Sequence, residues 1–137
     1  MEVEKGKGVS PFKFQHHTRI DDSNVLTMFD NHHSTTPLIQ DTWWSQAVVY
    51  QVDEDNNTAR EIRSHKGPYG FAMGSMQALP NGNAAINWGG AGKVNIPFYT
   101  EVTREGKVVL ELRFIQQNGA FQTHKLPWWG RSKDPPL

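Results

Sequence analysis

The stretch VTREGKVVLELR, Val102–Arg113, decides how this chain is read, because a second stretch lies over it without a gap. VDEDNNTAREIR, Val52–Arg63, sets Val52 on Val102 and Glu61-Ile62-Arg63 on Glu111-Leu112-Arg113. In both, polar turn residues sit beside alternating apolar and polar side chains. Val108, Leu110, Leu112 and Phe114 alternate in the one, as do Val48, Tyr50 and Val52 leading into the other. A period of two marks a half-buried strand, since successive side chains leave a strand on opposite faces. β-Branched and aromatic residues crowd these runs, and DDSN, DEDNN, LPNGN, REGK and QQNG stand between them as turn chemistry. Short strands broken by frequent turns predict an antiparallel all-β protein.

The self-match extends outward. RIDDSNVLTMFDN, from Arg19, lies over ALPNGNAAINWGG, from Ala78, with Ile20 on Leu79 and Phe29 on Trp88. The spacing is wider here, and the difference is a patternless stretch from Asn31 to Trp44 that reads as a long loop. Four short strands per repeat of about 40 to 50 residues is the pattern of a β-propeller blade. The expected organisation is one blade over 12–64, a second over 75–115, and a strand within 119–129 that begins a third. Closed propellers take four to eight blades, roughly 200 to 400 residues at this period. The chain is therefore expected either to be part of a longer protein or to self-associate through its open blade edges.

Composition narrows the function. Fourteen Lys and Arg balance fourteen Asp and Glu, so no overall field draws the chain to nucleic acid or to an anionic membrane. No basic and aromatic stripe suited to nucleic acid is present. No apolar run approaches the roughly 18 residues of a membrane span, and the opening MEVEKGKGVS holds no apolar segment for a signal peptide. The absence of cysteine excludes disulfides and thiol catalysis and leaves the compartment undetermined. Five Trp, seven Phe and three Tyr supply the apolar area for a core.

Four of the six histidines fall in FQHHTRIDDSNVLTMFDNHH, Phe14–His33, as adjacent pairs at the two ends of one hairpin. Neighbours on a strand face opposite ways, so His16 and His17 cannot share one packed face. His17 reads either as a packed histidine or as a second pocket residue. Neither pair has the helical or cysteine spacing of common zinc sites, so no metal is expected. Gly74-Ser75 repeats the position of His16, which sets Ser75, Met76 and Gln77 at the start of an inner strand. Gly74 permits tight entry there, and Met76 equally suits packing between blades. Trp88, Trp128 and Trp129 read as core, whereas Trp43-Trp44 in the long loop could cap a pocket for an aromatic ligand.

The order FQHHTRI, VLTMFDN, GSMQALPNGNAAINWG, VTREGKVVLELRF and HKLPWWGRSKDPP resembles the arylsulfotransferase-like family, in particular its fungal branch, from Gly6 to Pro136. The resemblance implies a six-bladed propeller, of which this is the C-terminal part. It further implies sulfuryl transfer between phenolic compounds through a covalent histidine intermediate, with no cofactor. Gln15-His16 resembles the family's motif at the nucleophile, so His16 is the expected nucleophile. Asp30, or Asn31 beside it, is expected to orient the His16 ring, the alternative being a turn-forming pair. His17, Ser75, Gln77 and Trp44 are the expected substrate-binding residues, for a small phenol or aryl sulfate. The family's cationic donors lie largely in earlier blades, so no turnover is expected from these residues alone. Relatives tend to be secreted or periplasmic. The second reading is a non-catalytic propeller scaffold.

Overall fold

The alternating runs form nine strands in the computed structural model of the chain, which describes residues 2–4, 12–32, 44–90, 95–115 and 119–126. Strands β2 (Gln15–Ile20), β3 (Val25–Asp30), β4 (Ser45–Asp53) and β5 (Thr58–Gly67) pair in chain order as one antiparallel meander. Strands β6 (Ser75–Ala78), β7 (Ala84–Asn87), β8 (Pro97–Val102) and β9 (Val108–Arg113) form a second. A short β1 (Glu2–Glu4) adds in parallel to the free edge of β5. The described residues contain no helix, and the two sheets are those of partial propeller blades.

Turn chemistry closes the hairpins where the sequence places it. Asp21 Oδ1 accepts hydrogen bonds from the Ser23 and Val25 amides, and Asn24 takes the left-handed conformation at φ 57°. In LPNGN, Gly82 adopts φ 83° and its amide returns to the Leu79 carbonyl.

The sheets pack face to face. Phe29, Ala47 and Val49 of the first meet Met76, Ala84, Ile86, Trp88 and Val102 of the second in one buried cluster. Trp88 is its largest member, donating its indole N–H to Thr100 Oγ1 at 2.8 Å and standing edge-on to Phe29. The far face of the first sheet buries Met28, Val48, Tyr50, Val52 and Ala59. Both faces of β4 are thus apolar, which explains why AVVY is a continuous run inside a chain that otherwise alternates. β9 differs: Val108, Val109, Leu110 and Leu112 are all exposed.

The twelve-residue match does not hold in register. Val52 pairs with Ala59 but Val102 pairs with Val108, a turn one residue tighter. Bulges then fall at different places, leaving Ile62 unpaired in β5 and Val109 unpaired in β9. Arg63 pairs with Val49 and turns into the seam between the sheets. There its guanidinium donates to the carbonyls of Gly82, Val102 and Thr103 at 3.0, 3.3 and 2.6 Å. Arg113 instead lies exposed beside Glu111 at 2.8 Å. The same three letters, Glu-apolar-Arg, make a clamp in one sheet and a surface ion pair in the other.

Residues 119–126 run alongside β6 in the parallel sense. The Gly74 amide donates to the Phe121 carbonyl, the Thr123 amide to Ser75 Oγ, and the Lys125 amide to Gln77 Oε1. Side chains of β6, rather than its carbonyls, take the amides of Thr123 and Lys125, so the described part of this stretch joins no ladder. Among the described residues no helix is long and apolar enough to cross a membrane, which says nothing of a β-barrel.

Candidate functional site

His16 is the second residue of β2 and faces Phe29 across the hairpin. The strand is irregular at this point. Its register shifts between His16 and Arg19, and both Phe14 and His17 take left-handed backbone angles, at φ 57° and 52°. Such conformations cost of order 1–3 kcal/mol in a residue with a side chain and gather at functional sites. Bulges likewise re-aim side chains. The two adjacent histidines therefore do not sit on a regular strand, and each points into its own surroundings.

The His16 ring is half-buried. Its Nδ1 lies 2.7 Å from Oδ1 of Asn31 and 3.2 Å from the Phe14 carbonyl oxygen. Asn31 is fully buried, and its Nδ2 donates to the carbonyls of Gly70 and Met73 at 2.7 and 3.1 Å. Asp30, also fully buried, is turned to other partners. Its Oδ1 accepts from the backbone amides of Lys13 and His32 at 2.8 and 2.9 Å, and its Oδ2 from Gln46 Nε2 at 3.1 Å. Of the pair closing VLTMFDN, the amide touches the histidine. The carboxylate instead ties together the segments on either side of the hairpin.

His17 occupies a different environment. Arg19 Nε donates to His17 Nε2 at 3.1 Å, and the ring stands edge-on to His124, centroids 5.6 Å apart. Its Nδ1 is buried beside the Met76 backbone without a hydrogen bond of good geometry. Burial, then the charges of Arg19 and His124, hold His17 below its ordinary basicity. Ser75 is buried under residue 123, which uses its hydroxyl. Gln77 is engaged at both ends of its amide by the Lys125 backbone. Trp44 stacks on His32 with ring centroids 3.8 Å apart, and the Lys66 ammonium lies 4.1 Å from its ring centre. His33, Trp43, Trp128 and Trp129 lie outside the described residues.

The structure thus joins His16 to Asn31 and His17 to His124, and it sets Ser75 and Gln77 against residues 121–125. His124 was not expected at the site. Its signal is visible on comparing FQTH, Phe121–His124, with FQHH, Phe14–His17, in which the second histidine of the pair matches. A separate cleft of about 510 Å³ opens between the sheets at the other end of the β2–β3 hairpin, walled by Val25, Val49, Met76 and Leu79 and rimmed by Arg63 and Arg104. Among the described residues no cluster of histidine and carboxylate side chains is arranged to hold a metal ion.

The fold and site define a class: blades of an all-β propeller, with paired histidines where the first strand of a blade begins. Compared with protein families, the chain matches the model for arylsulfotransferase (ASST) over residues 4–115. That is most of its length, and the chain belongs to the arylsulfotransferase family. No curated protein matches it.

Proposed function

We propose that this chain supplies the nucleophilic histidine of a propeller that moves sulfuryl groups between phenols, and that His16 is that residue. The observation that carries the reading is the anchoring of one ring nitrogen, Nδ1, on a buried amide at an irregular strand start. A nucleophilic imidazole needs one nitrogen held so that the other meets the substrate in a fixed direction. In the first half-reaction the free nitrogen attacks the sulfur of an aryl sulfate. The N–S bond forms as the S–O(aryl) bond breaks, and the phenolate leaves and is protonated. In the second, an acceptor phenol attacks the sulfur and loses its proton, the N–S bond breaks, and the imidazole is restored. Charge spreading over the sulfuryl oxygens calls for cationic donors, which further blades of a ring would supply. Trp44, with its ring already stacked on His32, is proposed to bound the aryl side of the site rather than to move over it.

The test is turnover of a chromogenic aryl sulfate with a phenol acceptor, using a ring that contains these residues together with its remaining blades. His16→Asn is expected to abolish turnover and the trapping of ³⁵S on the protein. A non-catalytic scaffold is the second reading, favoured by the engagement of Ser75 and Gln77 by residues 123 and 125, which leaves these two side chains committed to the chain itself. Turnover that survives His16→Asn would select it for this site.

A further inference from the structure

We propose that Asn31 is a positioning residue that locks His16 into the tautomer with its proton on Nδ1 and its lone pair on Nε2. The argument turns on which way a buried amide faces. An asparagine side chain has a nitrogen that only donates and an oxygen that only accepts, and its orientation follows from its partners. Two of the three partners of Asn31 leave no choice. The carbonyl oxygens of Gly70 and Met73 can only accept, so Nδ2 must face them. Oδ1 is therefore the atom that meets His16 Nδ1 at 2.7 Å, and that contact is a hydrogen bond only if Nδ1 carries the proton. The Phe14 carbonyl, 3.2 Å from the same nitrogen, is a second acceptor and makes the same demand. A neutral imidazole has one ring proton, so Nε2 is left bare.

This assignment reverses the usual preference. A solvated neutral imidazole side chain favours the proton on Nε2, which would leave the outward nitrogen without a lone pair. The buried amide overrides that preference because an unpaired Oδ1 in the interior is costly. Gly70 and Met73 lie in the connector between β5 and β6, and Met73 is itself held at φ 64°. Asn31 thus links the His16 ring to that connector. Asp30 plays a different part, bracing the backbone at Lys13 and His32.

The bearing of this tautomer on catalysis rests on the sulfuryl-transfer reading; the tautomer itself does not. Long-range ¹H–¹⁵N correlation spectra of the ¹⁵N-labelled chain near pH 7.5 read it directly, with the His16 signals assigned by their loss in His16→Asn. The expected result is a protonated, pyrrole-like Nδ1 and an unprotonated, pyridine-like Nε2. Asn31→Ala is expected to shift the ratio toward the Nε2–H form by roughly tenfold, the size of one hydrogen bond. Asn31→Asp keeps an acceptor and is expected to keep the Nδ1–H form, although it loses the bonds to Gly70 and Met73. A protonated or averaged Nε2 in the unsubstituted chain would overturn the proposal, as would a folded Asn31→Ala with the tautomer unchanged. The unsubstituted spectrum decides the matter even where the variants do not fold. Failure of the two readings is separable: an Nδ1–H ring without ³⁵S trapping removes the chemistry and leaves the positioning role standing.

Discussion

Gly67 lies against the face of Trp88, and a methyl group there would come within 2.3 Å of the indole ring. Gly74 has no more room, since an added Cβ would meet the Phe29 ring at 2.4 Å, and its φ of 103° suits only glycine. These two positions bracket the connector that Asn31 holds, so they bear on the site as well as on packing. Gly67→Ala is expected to lower stability by about 1–3 kcal/mol, the usual cost of overfilling a packed contact. A drop in the urea midpoint at unchanged slope is the check, and a midpoint within error of the parent would contradict the packing described. At the same scale His16 and His17 show how much one residue can hide. The pair reads as two opposite faces of a strand, but a bulge and a left-handed His17 give each ring its own partners.

The informative element is β5, whose bulge at Ile62 sets Arg63 into the seam. Three carbonyls of the second sheet converge on that guanidinium, from the β6–β7 turn and the end of β8. Arg63→Ala is expected to cost about 2 kcal/mol, because charged donors leave and half-buried carbonyls lose partners. Arg63→Lys should recover only part of this, since a point charge cannot span carbonyls set that far apart. Chemical denaturation of the two variants measures both effects. β9 is the contrasting element, with the alternation of a half-buried strand and, among the described residues, no cover on either face. Its apolar residues, with Ile115 at 94% exposure beyond it, lead us to expect concentration-dependent association of the chain. Light scattering should show that association weaken in a Leu110→Thr, Leu112→Thr double variant. A monomer at all concentrations would remove the expectation.

For the molecule as a whole, two half-buried histidines contribute to the response to mild acid. His17 is held below its ordinary value by burial and by the charges of Arg19 and His124, and His65 by burial and Arg63. In the unfolded chain both take up a proton near pH 6.5, while in the folded chain they do so only at lower pH. Between those values the unfolded state binds more protons, so stability rises with pH across that window. The contribution is complete above about pH 6.5 and is lost as the pH falls through the folded values. The melting temperature should therefore fall between about pH 7.5 and pH 5.5, and less steeply in a His17→Gln, His65→Leu double variant. An equal slope in parent and variant would place the acid sensitivity in other groups.

Much of this was legible in the chain. Alternation in VVLELR and VVYQV, with turn residues between the runs, marks strands, because successive side chains leave a strand on opposite faces. It does not tell which faces are covered, since among the described residues β4 buries both of its faces and β9 neither. The repeat of hairpins determines two similar sheets, and His16 stands out through its motif. Asn31 was visible only as one of a pair, since sequence spacing does not tell which side chain of Asp30-Asn31 turns toward a ring. Tertiary structure decided that, along with the fate of the matching arginines. Register is set by turn length and bulges, and a shift of one residue carries a side chain to the opposite face. Arg63 thus became a clamp and Arg113 a surface charge, while β9 kept the pattern of a buried strand without, among the described residues, the partner that would bury it.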